Sequence, residues 1–157
     1  MIQQFLSDLR LFILSDRIYT DELRTLGWGT DASFYRQIPK VVIRSDGEEE
    51  ISKIVKACRK YKLPFTFRAA GTSLSGQSCT DSVLIVAGKH WEKYEIIEEG
   101  GGSKEDGEFL IRLQPGIVGA RVNEILKPYG RVFPPDPASI GSAMVGGIVV
   151  NNASGMN

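Results

Sequence analysis

Hydrophobic positions along this chain follow helical and strand periods in turn. Ile2, Phe5, Leu6, Leu9, Phe12 and Ile13 recur at helical spacing, which predicts an amphipathic helix. It either packs on the domain or lies on a membrane surface. Pro39 precedes a compact apolar run, Val41-Val42-Ile43-Arg44, read as a strand. From Glu49 to Lys62, Ile51, Ile54, Val55, Cys58 and Tyr61 share one face, with acids at the start and Arg59, Lys60 and Lys62 at the end. That is the charge order a helix dipole favours. Ser45 and Glu48 are spaced as a capping box for this helix. Phe65-Thr66-Phe67-Arg68 and Val83-Leu84-Ile85-Val86 read as two further strands. Strand–helix–strand at this length predicts a parallel pair joined by a crossover.

The texture changes near Trp91. Tyr94–Glu98 and Phe109–Leu113 read as antiparallel strands, joined by the polar hairpin loop EEGGGSKEDGE. Val118, Val122, Ile125 and Leu126 form the face of a short helix closed by Pro128 and Gly130. The pattern predicts an α+β chain: residues 1–38 as an N-terminal helix and lead-in, 39–88 as a small mixed α/β subdomain, and 89–157 as the start of a mostly antiparallel one.

Composition narrows the picture. With 157 residues, 42% hydrophobic and 24% charged, the chain reads as globular rather than disordered. Nineteen basic residues balance nineteen acidic ones, so charge offers no reason to expect nucleic acid. Cys58, Cys79 and the lone histidine, His90, make neither a zinc pattern nor a disulfide framework and fit a reducing compartment. Cys58 falls on the apolar face of the helix and reads as core. Asp8, Arg10, Asp16 and Arg17 interrupt the N-terminal apolar run, which excludes a transmembrane segment there.

Glycine is the uneven component. The segment Arg68-Ala69-Ala70-Gly71-Thr72-Ser73-Leu74-Ser75-Gly76-Gln77-Ser78 lies between two strands. Such a loop can turn successive N–H groups inward as an anion-binding nest, with glycines permitting close approach. A plain polar hairpin is the competing reading. Gly71-x-x-x-x-Gly76-Gln77-Ser78 imitates a Walker A loop, but Gln77 replaces its lysine and a strand rather than a helix follows. Gly27-x-Gly29-x-x-Ala32 imitates a dinucleotide fingerprint without the strand before it or the helix after it.

The C-terminal run begins with the rigid entry Pro134-Pro135-Asp136-Pro137. Gly146-Gly147 then sits among Met144, Val145, Ile148, Val149 and Val150, apolar enough to suggest a buried strand or turn. Asn151-Asn152-Ala153-Ser154-Gly155 places amides directly after it. Those amides either meet a polar ligand such as a flavin ring or cap a glycine-rich core corner.

In order and spacing these pieces resemble the FAD-binding domain of the vanillyl-alcohol oxidase (PCMH-type) superfamily, in the branch of the D-lactate dehydrogenase and glycolate oxidase flavoprotein subunits. The likeness runs through Gly29-Thr30-Asp31-Ala32, Pro39-Lys40-Val41-Val42, Ala70 to Gly76, Pro134 to Pro137 and Gly146-Gly147-x-x-x-Asn151-Asn152-Ala153-Ser154-Gly155. It implies a PCMH-type fold binding FAD, with Arg68, Ala69, Ala70, Gly71, Thr72, Ser73, Leu74, Ser75 and Gly76 cradling the pyrophosphate. It further implies that Pro135, Asp136, Ser139, Gly146, Gly147, Asn151, Asn152, Ala153, Ser154 and Gly155 line the flavin and its ribityl chain. Thr72 stands where histidine-linked relatives carry their attachment residue, which implies a noncovalent flavin. Ala69 and Ala70 depart from the family's glycines, and Met144 from its frequent threonine.

The resemblance implies an oxidoreductase acting on a small D-2-hydroxy acid and passing electrons to an acceptor. Its base and metal histidines lie in a later substrate cap, so this chain is expected to be a fragment, inactive alone, and an unpaired apolar edge would leave it open to self-association. A cytoplasmic location, including one peripheral to the inner membrane, is expected. The rival functions are a non-catalytic flavin- or nucleotide-binding module and a glycine-rich domain with no ligand.

Overall fold

The computed structural model describes residues 1–87, 90–98 and 109–155. Four strands form its main sheet: β1 (Ile18–Tyr19), β2 (Val41–Ser45), β3 (Phe65–Arg68) and β4 (Val83–Ala87). Their spatial order is β1-β2-β4-β3. Strand β1 is antiparallel to β2, whereas β2 and β3 both run parallel to β4, with Val41 opposite Val83 and Phe65 opposite Val83. The crossover therefore does not join paired neighbours, as the strand–helix–strand pattern predicts, because β4 inserts between β2 and β3. The reason lies in β4 itself. Val83, Leu84, Ile85 and Val86 are all buried, and only a central strand buries both of its faces. Phe65 and Phe67 on β3 stay partly exposed, as an edge strand allows.

One face of the sheet packs Val41, Ile43, Val83 and Ile85 against two helices, α1 (Ile2–Leu9) and α3 (Glu48–Lys60). From α1 come Phe5, Leu6 and Leu9, from α3 Ile54, Ala57 and Cys58. The N-terminal stripe is thus spent on this core. Burial pushes the Cys58 thiol up to about 11, so it stays protonated and behaves as a small hydrophobe. On the other face Val42, Leu84 and Val86 meet Tyr19 and Trp28, the latter just after a short helix, α2 (Glu22–Gly27). Periodicity misses β1 and α2 because both are too short to repeat.

Helix α3 does not use the capping box. Ser45 belongs to β2 and its hydroxyl donates to the Val86 carbonyl at 3.2 Å, while the N-cap is Gly47. Instead Glu50 accepts from the Asp46 N–H at 3.0 Å and forms a bidentate pair with Arg17 at 2.7 and 2.9 Å. At the other end the helix stops at Lys60, short of the predicted Lys62. Lys62 takes φ +52°, and the Leu63 N–H reaches back to the Cys58 carbonyl at 2.9 Å. This is a Schellman closure, with the buried Leu63 as its apolar partner.

The second part pairs β5 (Tyr94–Glu98) with β6 (Phe109–Leu113) antiparallel, as predicted, with Ile96 opposite Ile111. The loop predicted between them lies outside the described residues. Helix α4 (Gly119–Leu126) buries Val122, Ile125 and Leu126, and Ile117, Val122, Leu126 and Val145 form a small core under β6. A 3-10 turn at Lys127–Tyr129 closes at Gly130, and the last helix is α5 (Val145–Val150). Among the described residues, no helix is long and apolar enough to cross a membrane. Since a left-handed non-glycine residue costs about 1 kcal/mol, Lys62→Gly should raise stability by several tenths to about 1 kcal/mol in urea unfolding.

Candidate functional site

Parallel strands β2, β3 and β4 all end at one edge of the sheet. A cavity of about 380 Å³ opens there, with Ser45, Arg68 and Ala87 from the three strand ends in its wall. Open parallel sheets characteristically bind ligands at this edge. Trp91, Pro115, Gly146 and Gly147 close the far side. A second cavity of about 250 Å³ shares Thr72, Ser73, Gln77, Gly147 and Asn151 with the first and continues past Leu74 and Ser139. The first alone is of ligand-pocket size.

The wall common to both is the loop after β3. Gly71 and Gly76 adopt φ +73° and +75°, the left-handed conformation glycine takes without strain. The N–H groups of Thr72, Ser73, Leu74, Gly76 and Gln77 have no hydrogen-bond partner among the described residues. Thr72, Ser73 and Leu74 thus carry successive unpaired donors just after the left-handed Gly71, the pattern from which backbone nests are built. The Ser73 hydroxyl contacts the Gln77 side-chain amide oxygen Oε1 and accepts from the Ser75 N–H at 3.2 Å, bracing the loop from within.

Arg68 sits beneath this loop. Its guanidinium donates to the Thr30 carbonyl at 2.6 Å and the Trp28 carbonyl at 3.4 Å, and lies 5.2 Å from the centre of the Trp28 ring. A Cβ built on Gly71 would come within 2.5 Å of its Nη2. Burial pushes the guanidinium down from its ordinary value, while the Asp31 carboxylate opposes that shift. Its Nε is buried and without a partner among the described residues.

Asp31 is the counterpart. Burial raises its carboxyl, but hydrogen bonds from the Ser33 hydroxyl, the Ser33 N–H and the Ser78 hydroxyl, with the charge of Arg68, hold it below the ordinary range. It is therefore ionised at neutral pH. The Ser33 N–H donates at 2.9 Å and Ser78 at 3.0 Å.

The second wall departs from the buried strand or turn predicted at Gly146-Gly147. Val145–Val150 is a helix, with Val149 and Val150 exposed. It closes with Asn152 at φ +47°, where the Ala153 N–H reaches the Ile148 carbonyl at 2.9 Å and the Asn152 N–H the Val149 carbonyl at 3.1 Å. Asparagine is among the few residues that tolerate this position. The helix is seated by its glycine. Gly146 N–H donates to the Pro115 carbonyl at 2.9 Å, and a Cβ there would meet the Pro115 ring at 2.6 Å. Trp91 ties the two parts together, its indole N–H donating to the Ser45 carbonyl at 2.8 Å and its own carbonyl accepting from Gly116 at 2.8 Å.

Of the residues predicted from sequence, Arg68, Ala69, Ala70, Gly71, Thr72 and Ser73 line the first cavity, as do Gly146, Gly147 and Asn151. Leu74, Ser75, Ser139 and Ala153 line the second. Gly76, Pro135, Asp136, Asn152, Ser154 and Gly155 line neither. Gly76 instead backs onto the Tyr35 ring, and Gly155 lies against the Asp136 carbonyl too closely for any Cβ. Sequence reasoning does not find Ser45, Trp91 or Pro115. The rule that ligands gather at parallel strand ends could have marked Ser45, but nothing local marks the other two.

Residues 39–157 match the family described as FAD binding domain. A mitochondrial D-lactate dehydrogenase [cytochrome] of Arabidopsis thaliana is 32% identical over 98% of this chain and 26% of its own length. A D-2-hydroxyglutarate dehydrogenase of Haemophilus influenzae is 29% identical over 98% of this chain and 15% of its own. Glycolate oxidase subunit GlcD of Bacillus subtilis is 28% identical over 78% of this chain and 25% of its own. The chain thus spans about a quarter or less of the length of these relatives. In fold it is similar to alkyldihydroxyacetonephosphate synthase, with TM-score 0.73, 18% identity and coverage of 98% of this chain and 30% of that one. It is likewise similar to p-cresol methylhydroxylase, with TM-score 0.71, 14% identity and coverage of 97% and 30%. The architecture is the PCMH-type fold expected from the motifs.

Adjacent glycines 146 and 147 should behave oppositely. Gly146→Ala forces a methyl group into Pro115 and should lower stability by about 1–3 kcal/mol. Gly147→Ala meets nothing within 4 Å and should be neutral or slightly stabilising in the same denaturation experiment.

Proposed function

The chain belongs to the FAD binding domain family, and we propose that it is the cofactor-holding part of a flavoenzyme that oxidises a small D-2-hydroxy acid and passes the electrons to a separate acceptor. The observation that carries this reading is the loop 69–78, whose unpaired N–H groups face no protein partner among the described residues. Those donors, with the orphaned Nε of Arg68, suit the two negative charges of a pyrophosphate. The apolar wall of the first cavity, including Phe67, Ile85, Trp91 and Val150, suits a flat ring system. Gly147 and Asn151 line both cavities and suit the chain between pyrophosphate and ring. With Thr72 following Gly71, the loop has no histidine to form a covalent link, so FAD is held noncovalently.

When bound, FAD supplies the hydride acceptor. The work of this chain is to hold and orient it and to keep water from one side of it. The relatives' names point to D-lactate, glycolate and D-2-hydroxyglutarate as the acids to assay. His90 is exposed, lies 3.7 Å from Asp46 and lines neither cavity. Free, buried Cys58 and Cys79 support a reducing, cytoplasmic setting. The half-exposed Phe65 and Phe67 on edge strand β3 support self-association when this part stands alone.

Gly71→Val in the full-length protein should reduce bound flavin at least tenfold. A β-branched residue is strained at positive φ and would collide with the Arg68 guanidinium. Flavin content after purification measures this, and equal flavin in variant and wild type would remove the loop from the site. The full-length protein should also reduce a dye with at least one of the three acids. Flavin binding without any such turnover would favour a non-catalytic flavin module.

A further inference from the structure

We infer that Asp31 is a positioning residue for the cofactor site, setting the shape of loop 69–78 through Ser78 while lining neither cavity itself. The inference rests on the reading of that loop as the pyrophosphate cradle. A loop whose N–H groups are left unpaired has no ladder to hold it, and ordering its backbone costs about 1–2 kcal/mol per residue. Its shape must come from outside. The segment 28–33 pins it at three places: the Thr30 and Trp28 carbonyls take Arg68 at 2.6 and 3.4 Å, the Ala32 N–H donates to the Gly71 carbonyl at 3.0 Å, and Asp31 takes Ser78 at 3.0 Å. The loop is thus held at its start, at its first glycine and at its end by one short strap.

Asp31 shapes the strap as well as gripping the loop. One carboxylate oxygen accepts from the Ser33 N–H and hydroxyl, folding the strap back on itself. The other oxygen accepts from Ser78, which is buried. No other side chain of the strap contacts the loop through a hydrogen bond among the described residues. Ionised Asp31 also offsets the buried charge of Arg68 under Gly71.

The test uses the full-length protein stripped of FAD and titrated with FAD, following flavin fluorescence. Loss of a charge-assisted hydrogen bond is an effect of about tenfold, so Asp31→Ala should raise the FAD Kd about tenfold or more. Asp31→Asn should recover most of this, to within about threefold of wild type. Its amide can donate to Ser78, whose hydroxyl accepts as well as donates, while its oxygen keeps Ser33. Ser78→Ala should weaken binding, and the double variant Asp31→Ala/Ser78→Ala should bind no more weakly than Asp31→Ala, because both act on one contact. In the apoprotein, Asp31→Ala should also quicken tryptic cleavage after Arg68. Wild-type affinity in Asp31→Ala, failure of Asn to improve on Ala, or full additivity in the double variant would each overturn the inference. A wild-type protein that takes up no FAD would instead sink the cradle reading on which it rests.

Discussion

Strands β2 and β4 are apolar on both faces, and that constraint organises the rest. A sheet buried on one side by α1 and α3 and on the other by Tyr19 and Trp28 leaves polar groups nowhere to go except its ends. At the carboxyl end the chain leaves the sheet at Ser45, Arg68 and Ala87, and the cavity forms there. A cavity at this edge follows from the hydrophobic effect before any ligand is considered. The parallel strands deliver several chain segments to one place while their cores stay dry.

What turns an edge into a site is a loop kept from satisfying itself. Between Gly71 and Gly76 the backbone offers donors that no neighbouring carbonyl takes, a conformation held only because other groups hold it. Arg68 and Asp31 are central here. A guanidinium pushed down by burial and a carboxylate held low by hydrogen bonds stabilise one another, and each also grips backbone or hydroxyl on the opposite segment. The far wall is fixed by packing instead, with Gly146 against Pro115 and Trp91 linking Ser45 of β2 to Gly116. One wall is thus polar and strapped, the other apolar and wedged.

The sequence by itself determined the elements with strong period and the two glycine-rich motifs. Helix 48–60, the strands at 41, 65, 83, 94 and 109, and the helix at 119 are legible because each repeats its hydrophobic spacing long enough to show. The loop 68–76 stands out as glycines and hydroxyls between two strands, a pattern that a plain polar hairpin fits equally, and the family resemblance is what tips its reading toward a cradle. Tertiary structure alone decided that β4 would separate β2 from β3, because burial of both faces is a property of the assembled sheet. It alone decided that Ser45 would serve the sheet and the cavity instead of capping a helix, and that Val145–Val150 would coil, with Asn152 as its left-handed stop. Asp31, Trp91 and Pro115 reach the site across 47, 46 and 31 residues of chain, to Ser78, Ser45 and Gly146 respectively. No local pattern encodes such partners. They become visible only when packing brings distant segments within hydrogen-bonding distance.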